Sequence, residues 1–270
     1  MTAQSFLGLS ATHNPHRWHL PITPKVCTPG DFLYGGAALA AGLTAMEETT
    51  GRPTIWATAQ YLSFARPPSI IDLDVVVPVA GNSVTQARAL LHVNDQEVIT
   101  VNAALGTRKD ESPGTWAEFP SDVLPPEDSQ PIPEHHGVPE SVHDHMDIRV
   151  ARGLFGFWGV GDATADGRSL LWFRIPDVTV CAASLAIMAD FMPSGIGNVL
   201  NQRAGGNSLD NTIRIIRLVE TEWVLGEIHV HGIGNGFGHG RIHLWSQRGE
   251  LLATASQSVI VRKMSELPKV

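Results

Sequence analysis

The order of predicted secondary-structure elements occurs twice along the chain. In the first copy, the segment GGAALAAGLTAMEETTG at residues 35–51 predicts a helix, because small and apolar helix-forming residues run up to a closing glycine. Four strand-like runs follow it: TIWATAQYLSFAR, IIDLDVVVPVA, VTQARALLHV and VITVNAALGTR. A polar turn at residues 94–97 joins the last two runs. This order predicts one helix followed by an antiparallel meander.

The second copy repeats this order. The apolar segment VTVCAASLAIMADF at residues 178–191 predicts a helix, and it precedes the runs SLDNTIRIIRLV, EWVLGEIHVHGIG, FGHGRIHLW and LLATASQSVIVRK. Each helix also follows an early strand signal, which is WHLPIT in the first copy and MDIRVARGLF with SLLWFRI in the second. A repeated element order with weak sequence identity indicates duplication. We therefore expect an α+β fold of the double hotdog type, in which each of two antiparallel sheets wraps a long central helix.

Composition places the boundary between the two copies. Residues 110–145 are rich in proline, acidic residues and histidine, and they show no sustained hydrophobic period. Such a segment cannot bury enough apolar area to fold alone. We predict an N-terminal hotdog at residues 1–109, a linker at 110–145 and a C-terminal hotdog at 146–270.

Charge and cysteine usage limit the classes of function. A net charge of -8 argues against nucleic-acid binding, because phosphate contacts need a surplus of lysine and arginine. The N-terminus lacks a basic-then-apolar signal, and the apolar runs are shorter than a membrane span requires. Cys27 and Cys181 lie far apart in sequence and fit a reducing compartment. We expect a cytoplasmic protein with no membrane span and no nucleic-acid partner.

The run HVHGIGNGFGHGRIH at residues 229–243 has three interpretations. A dinucleotide loop is disfavoured, because Phe237 stands where the third glycine belongs and no helix signal follows. A zinc site at His229 and His231 is disfavoured, because no third ligand follows at a recognisable spacing. We predict no metal and no cofactor. The remaining interpretation is a strand with a bare glycine face that a ligand or another backbone approaches, with His231 the histidine most relevant to function.

Several segments carry a resemblance to a known family. DFLYGGAALAAGLTAME resembles the helix entry of acyl-CoA thioesterase II proteins of the TesB type, and SLDNTIRIIR, EWVLGEI and GRIHLWSQRGELLATASQSVIVR resemble its second half. A second element, THNPHRWH, is faintly similar to one in double hotdog hydratases. Thr12 replaces its acid and Arg17 its histidine, which disfavours hydratase chemistry.

The thioesterase resemblance implies hydrolysis of acyl-CoA by an activated water. It implies catalytic roles for Asp210 and Gln257, and it places His231 at a position where the family has a hydroxyl residue. From the residues alone, Asp210 is either a buried working carboxylate or a turn cap, and Gln257 either faces the site or faces outward.

The start of the first helix adds a substrate-binding expectation. Tyr34, Gly35 and Gly36 open this helix, where bare glycines let a carbonyl approach the backbone N–H groups. We expect the Gly36 N–H to stabilise an oxyanion, the alternative being a plain tight turn. The second copy has no such glycine pair, so one site per chain is expected. Together with the resemblance, these features predict a homo-oligomeric thioesterase of fatty acid metabolism. The alternatives are a non-catalytic acyl-CoA binding double hotdog protein and, less favoured, an enoyl-CoA hydratase-like enzyme.

Overall fold

The computed structural model describes residues 1–109, 114–133 and 139–263. The α-helices are α1 (Ala3–Leu7), α2 (Gly35–Thr50), α3 (Ala182–Ala189) and α4 (Gly195–Leu200), and short 3-10 helices cover Pro24–Val26, Pro126–Asp128, Val142–His145 and Met192–Ser194. The strands are β1 (Ser10–Ala11), β2 (Arg17–Pro21), β3 (Thr54–Tyr61), β4 (Ile70–Ala80), β5 (Val84–Val93), β6 (Gln96–Gly106), β7 (Gln130–Pro131), β8 (Asp147–Arg152), β9 (Arg168–Arg174), β10 (Ala204–Ser208), β11 (Asp210–Ile215), β12 (Val224–Gly234), β13 (Phe237–Ser246) and β14 (Leu251–Lys263). This content confirms the predicted α+β class.

All the strands join one antiparallel sheet. Its order is β1-β2-β4-β5-β6-β3-β11-β14-β13-β12-β9-β8-β7, with β10 pairing on β14. Moving outward from the β3–β11 junction, the order β3-β6-β5-β4 on one side matches β11-β14-β13-β12 on the other. At the junction Thr58 lies opposite Thr212, and their hydroxyl groups are 2.7 Å apart. The repeated order of strands in the sequence therefore becomes a repeated order in space.

Helix α2 is the long central helix of the first copy. Every residue from Gly36 to Met46 is buried, because this helix is apolar around its whole circumference and packs against both the sheet and α3. The helix ends at Gly51, which has a positive φ of 64° and donates its N–H to the Glu47 carbonyl oxygen. The sequence-based helix prediction for residues 35–51 is confirmed.

The second helical segment differs from its prediction. A continuous helix was expected over residues 178–191, whereas α3 starts at Ala182 and a 3-10 turn and α4 extend the helical path to Leu200. Pro193 lies in that turn and lacks an N–H group, which interrupts the α-helical ladder. The stretch Ala182–Leu200 is long and apolar enough to cross a membrane, but 89% of its most apolar window is buried inside the fold.

The described parts of the predicted linker contact the folded core. Strand β7 pairs with β8, and the Trp172 indole donates to the Leu124 carbonyl oxygen at 2.7 Å. Val142 and His143 are buried. Strand β7 and Leu124 thus contact the second copy, whereas the Val142 N–H donates to the Cys27 carbonyl oxygen in the first copy at 2.8 Å. The domain boundaries at 109 and 146 stay a prediction.

The glycine-rich run forms a hairpin rather than a single strand. Asn235 and Gly236 both have positive φ, at 53° and 82°, and turn β12 into β13. The glycines consequently do not share one bare face. Gly232 and Gly234 have open space around them, whereas a side chain at Gly240 would come within 2.8 Å of the Met192 sulfur. The close approach of another part of the chain that the glycines predicted therefore occurs at Gly240 on β13, where Met192 packs against the strand.

Candidate active site

A buried carboxylate lies at the start of helix α2. The carboxylate belongs to Asp190, at the end of α3, and it is 5% exposed. Its Oδ2 accepts a hydrogen bond from the Gly36 N–H at 2.6 Å. A Cβ atom at Gly35 would lie 2.8 Å from the same oxygen, and one at Gly36 would lie 2.9 Å from the Asp190 Cβ. The glycine pair is therefore required here because Asp190 packs directly against the helix terminus.

The second carboxylate oxygen of Asp190 binds side chains from the sheet. Oδ1 accepts hydrogen bonds from the Gln257 amide on β14 and from the Ser208 hydroxyl on β10, the latter at 3.3 Å. Gln257 is 2% exposed. Asp190 thus joins the helix α2 terminus to the inner face of the second-copy strands.

The surroundings of Asp190 raise the pKa of its carboxyl group towards neutral pH. Burial raises its pKa to about 6, and the hydrogen bonds from Gln257, Gly36 and Ser208, together with the nearby Asn211 amide, limit that rise. The positive end of the α2 dipole also favours a negative charge at this position. A carboxylate with such a pKa can accept a proton near pH 7 and release it again.

Polar atoms without partners surround Asp190. In the described part of the chain, the Tyr61 hydroxyl, both polar atoms of the Asn211 amide and the Gln257 Oε1 are buried and have no protein hydrogen-bond partner. The Asn211 amide is close enough to lower the pKa of both Tyr61 and Asp190, although its geometry does not make it a hydrogen-bond partner of either. Buried polar groups are normally paired, so this cluster indicates a place for a polar ligand or water.

The strand register explains why, within the described ranges, this cluster forms in the second copy and has no counterpart in the first. Asn211 and Gln257 are brought side by side by the β11–β14 pairing of the second copy, in which Thr212 lies opposite Ser256. In the first copy Thr58 lies opposite Asn102, and the neighbouring inward pair is Ala57 with Ala103. The two alanines occupy the places that the amides of Asn211 and Gln257 take in the second copy. Only the second copy therefore supplies amides to the site.

The predicted site residues divide into two groups. Gln257, Gly35 and Gly36 lie at the cluster, and the Tyr34 hydroxyl beside it donates to the Ile187 carbonyl oxygen at 3.0 Å. The other two predicted residues, Asp210 and His231, do not join Gln257 at Asp190.

Asp210 and His231 lie on the face of the sheet opposite to the face that carries Asn211 and Gln257. Asp210 is half-buried and its Oδ1 accepts a hydrogen bond from the Ser258 N–H at 2.8 Å. His231 is exposed and its ring contacts that of His229, with centroids 5.4 Å apart. Side chains alternate along a strand, so buried Ile213 places Asn211 inward and Asp210 outward. The predicted convergence of Asp210, His231 and Gln257 is therefore not found.

Asp190 was missed although the sequence contains a signal for it. It is the only charged residue in the apolar segment VTVCAASLAIMADF. A single carboxylate in a helix that is apolar all round must be buried, and a buried carboxylate is a candidate for function. The same argument was applied to Asp210, whose strand has an outer face that accommodates the charge.

The described residues contain no group of three or more histidine, cysteine or acidic side chains that could hold a metal ion. His229 and His231 are neighbours on the surface without a third ligand of this kind. The cluster at Asp190 itself offers a carboxylate, side-chain amides and hydroxyl groups.

Comparison with known proteins identifies the family. The family model for the acyl-CoA thioesterase C-terminal domain matches residues 126–261. A proposed thioesterase from Novosphingobium aromaticivorans has 32% identity and a TM-score of 0.83, over 93% of this chain and 97% of that chain. A search of curated proteins found no match.

More distant structures share the fold. A hot dog protein of unknown function from Alicyclobacillus acidocaldarius has 20% identity and a TM-score of 0.83, covering 99% of this chain and 98% of that chain. The acyl-CoA thioesterase II TesB2 from Mycobacterium marinum has 17% identity and a TM-score of 0.75, covering 98% and 100%. Fold and site together describe a hotdog-type thioester hydrolase. The chain belongs to the acyl-CoA thioesterase family, which confirms the resemblance and the predicted class of activity.

Proposed function

We propose that the protein hydrolyses acyl-CoA thioesters with a water molecule that Asp190 activates and Gln257 holds. The observation that carries this proposal is the buried Asp190–Gln257 hydrogen bond at the start of α2, beside polar atoms that have no protein partner. Gln257 donates to Asp190 through Nε2 and keeps Oε1 free to accept a hydrogen from water. Asp190 replaces Asp210 as the catalytic carboxylate in this mechanism.

The reaction proceeds in two steps. Asp190 takes a proton from water while the water oxygen bonds to the thioester carbonyl carbon, and the carbonyl π electrons move onto oxygen. The tetrahedral intermediate then re-forms the carbonyl, the carbon–sulfur bond breaks, and the proton on Asp190 passes to the leaving sulfur. The products are the free acid and CoA, and the carboxylate is regenerated.

The thioester reaches the cluster from the side of Tyr61. The Tyr61 ring is half-buried, and its neighbours Leu62 and Leu209 are 46% and 36% exposed. The backbone N–H of Tyr61 donates to the Leu209 carbonyl oxygen, so Leu62 and Leu209 both lie at the junction of β3 and β11, which is where we place the entrance for the substrate. In this arrangement the fold is a double hotdog with one site built between the two copies.

Four variants test the assignment of the carboxylate. Purified protein is assayed with acyl-CoA substrates of several chain lengths and a thiol reagent. Asp190→Asn and Gln257→Ala are expected to lower kcat by about 100-fold or more. Asp210→Asn and His231→Ala are the matched controls and are expected to stay within about threefold of the parent.

The opposite pattern would assign the reaction to the residues chosen from sequence. Activity lost in Asp210→Asn and retained in Asp190→Asn contradicts the proposed mechanism. Saturable acyl-CoA binding by calorimetry without turnover in the parent protein would instead support the non-catalytic alternative.

The cellular context is part of the same proposal. Cys27 and Cys181 are both free, in keeping with a reducing compartment such as the cytoplasm. A role in fatty acid metabolism and a homo-oligomeric state complete the proposal, the oligomer resting on the general prevalence of symmetric assemblies.

A further inference from the structure

The amide expected to stabilise the oxyanion is already occupied. The single hydrogen of the Gly36 N–H points at Asp190 Oδ2, 2.6 Å away. A substrate carbonyl therefore needs other donors while Asp190 is ionised. We propose that the Tyr61 hydroxyl and the Asn211 side-chain amide form the oxyanion pocket. This inference rests on the proposed function and names further catalytic residues for it.

Both residues lie on the inner face of the sheet beside Asp190. Asn211 on β11 is opposite Ala59 on β3, and Tyr61 is two residues further along β3 on the same face. Diagonal neighbours of this kind are within reach of a long side chain. On the other side of Asn211, strand β14 carries Gln257. Tyr61, Asn211 and Gln257 thus follow one another across three adjacent strands.

The Tyr61 hydroxyl is suited to donate. It is buried and has no partner among the described residues, and a Cβ atom at Gly35 would lie 3.0 Å from its ring. Burial raises the pKa of Tyr61 well above its usual value, and the charges of Asp190 and Asp210 raise it further. The hydroxyl therefore keeps its hydrogen at neutral pH and can donate it to a substrate oxygen.

Asn211 lacks partners for its polar atoms. It is fully buried, and neither Nδ2 nor Oδ1 has a hydrogen-bond partner within the described ranges. An unpaired buried amide destabilises the fold relative to an apolar group of the same shape. A structural role does not account for that cost, whereas a donor kept free for the substrate carbonyl does.

The charges in the pocket are consistent with this role. As the tetrahedral intermediate forms, negative charge leaves Asp190, which becomes protonated, and appears on the substrate oxygen. Fixed donors near that oxygen stabilise the new charge without rearranging. The pocket therefore holds one negative charge both before and after the attack.

Substitutions separate a catalytic role from a structural one. Tyr61→Phe and Asn211→Leu remove the donors while keeping most of the volume. Each is expected to lower kcat by about 100-fold at pH 8, where Asp190 is ionised, with KM little changed. The melting temperature is expected to stay the same or rise, because each change removes an unpaired buried polar group.

Two non-hydrolysable ligands test which substrate atom is bound. One is a CoA ketone analogue, with CH2 in place of sulfur, and the other is the matching S-alkyl-CoA thioether, which has no carbonyl. Both variants are expected to bind the ketone at least about tenfold more weakly than the parent and the thioether equally well, as measured by calorimetry.

Two results would overturn the inference. One is kcat within about threefold of the parent in both variants. The other is a kcat loss accompanied by a large fall in melting temperature and equal weakening for both ligands, which indicates a structural role. Asp190→Asn assayed in parallel keeps the proposals apart. If it is inactive while both variants are active, only the oxyanion pocket is wrong, and if it is active, the proposed mechanism itself fails.

Discussion

Asp190 combines three features that rarely occur together at one side chain. It is nearly inaccessible to solvent, it accepts hydrogen bonds at both oxygens, and it lies at the positive end of a helix. Burial disfavours the charge while the other two features favour it. Its pKa of about 6 reflects that balance, with burial the largest contribution.

The pH dependence of the reaction follows from this pKa. Water activation needs the ionised carboxylate, so kcat/KM is expected to be constant above about pH 7 and to fall about tenfold per pH unit well below 6. Initial rates between pH 4.5 and 9 with a fixed acyl-CoA measure the profile. A plateau that continues below pH 5 would exclude Asp190 as the base.

The free energy of unfolding should change with pH in the opposite direction to kcat/KM. The folded-state pKa of Asp190 is raised from 3.8 to about 6, so the folded state binds the extra proton and gains stability as the pH falls through that window. A difference of about two pKa units corresponds to about 3 kcal/mol, fully present below pH 3.8 and lost above 6. Urea unfolding at pH 4.5 and 7.5 should therefore show a larger loss with rising pH in the parent than in Asp190→Asn. Equal losses in the two proteins would contradict the raised pKa.

At the scale of elements, the decisive contact is between the start of α2 and the end of α3. Tyr34, Gly35 and Gly36 form that start, and only glycine leaves room for the Asp190 carboxylate and the Tyr61 ring. The two helices come from different copies of the repeat. Their contact brings together the residues of the proposed site, which neither helix supplies alone.

Adding one methyl group at this contact should impair the chemistry. Gly35→Ala places a Cβ atom 2.8 Å from Asp190 Oδ2 and 3.0 Å from the Tyr61 ring, so one of them must move. We expect kcat to fall about 10- to 100-fold, because a shift of about 1 Å in a catalytic group has an effect of this size. Gly232→Ala is the matched control, since its Cβ meets nothing within 4 Å. Equal kcat values in the two variants would argue against this packing.

At the scale of the whole molecule, the sheet is continuous through both copies. Strands β3 and β11 pair from Asp210 opposite Gln60 to Arg214 opposite Trp56, and α2 packs against α3 behind them. Separating the copies would expose this strand edge and leave Asp190 away from α2. The two copies are therefore expected to unfold together.

Unfolding by urea should show one transition with coincident midpoints. Far-ultraviolet circular dichroism reports the whole backbone. Single-tryptophan variants that retain Trp56 in the first copy or Trp245 in the second report each half by fluorescence. Midpoints separated by more than the experimental error would show that the copies are independent domains.

Most of the secondary structure could be predicted from the sequence. Helix α2 and the meander strands follow from patterns of neighbouring residues, which local propensity and alternation control. The family followed from the resemblance of the C-terminal third to acyl-CoA thioesterases. The glycine pair was identified from the sequence around it, whereas Gln257 came from the family resemblance. The Asn235–Gly236 turn carries a hairpin signal, which the interpretation of residues 229–243 as a single strand did not use.

Which carboxylate meets Gln257 depends on how the helices pack on the sheet, and the sequence did not predict it. Asp190 and Asp210 both precede Gln257 in sequence, and either could have been the partner of its amide. The choice depends on the packing of α3 across the sheet onto the start of α2, and on the face that each residue of β11 presents. Contacts between residues distant in sequence arise from the packing of whole elements, and no local pattern encodes them.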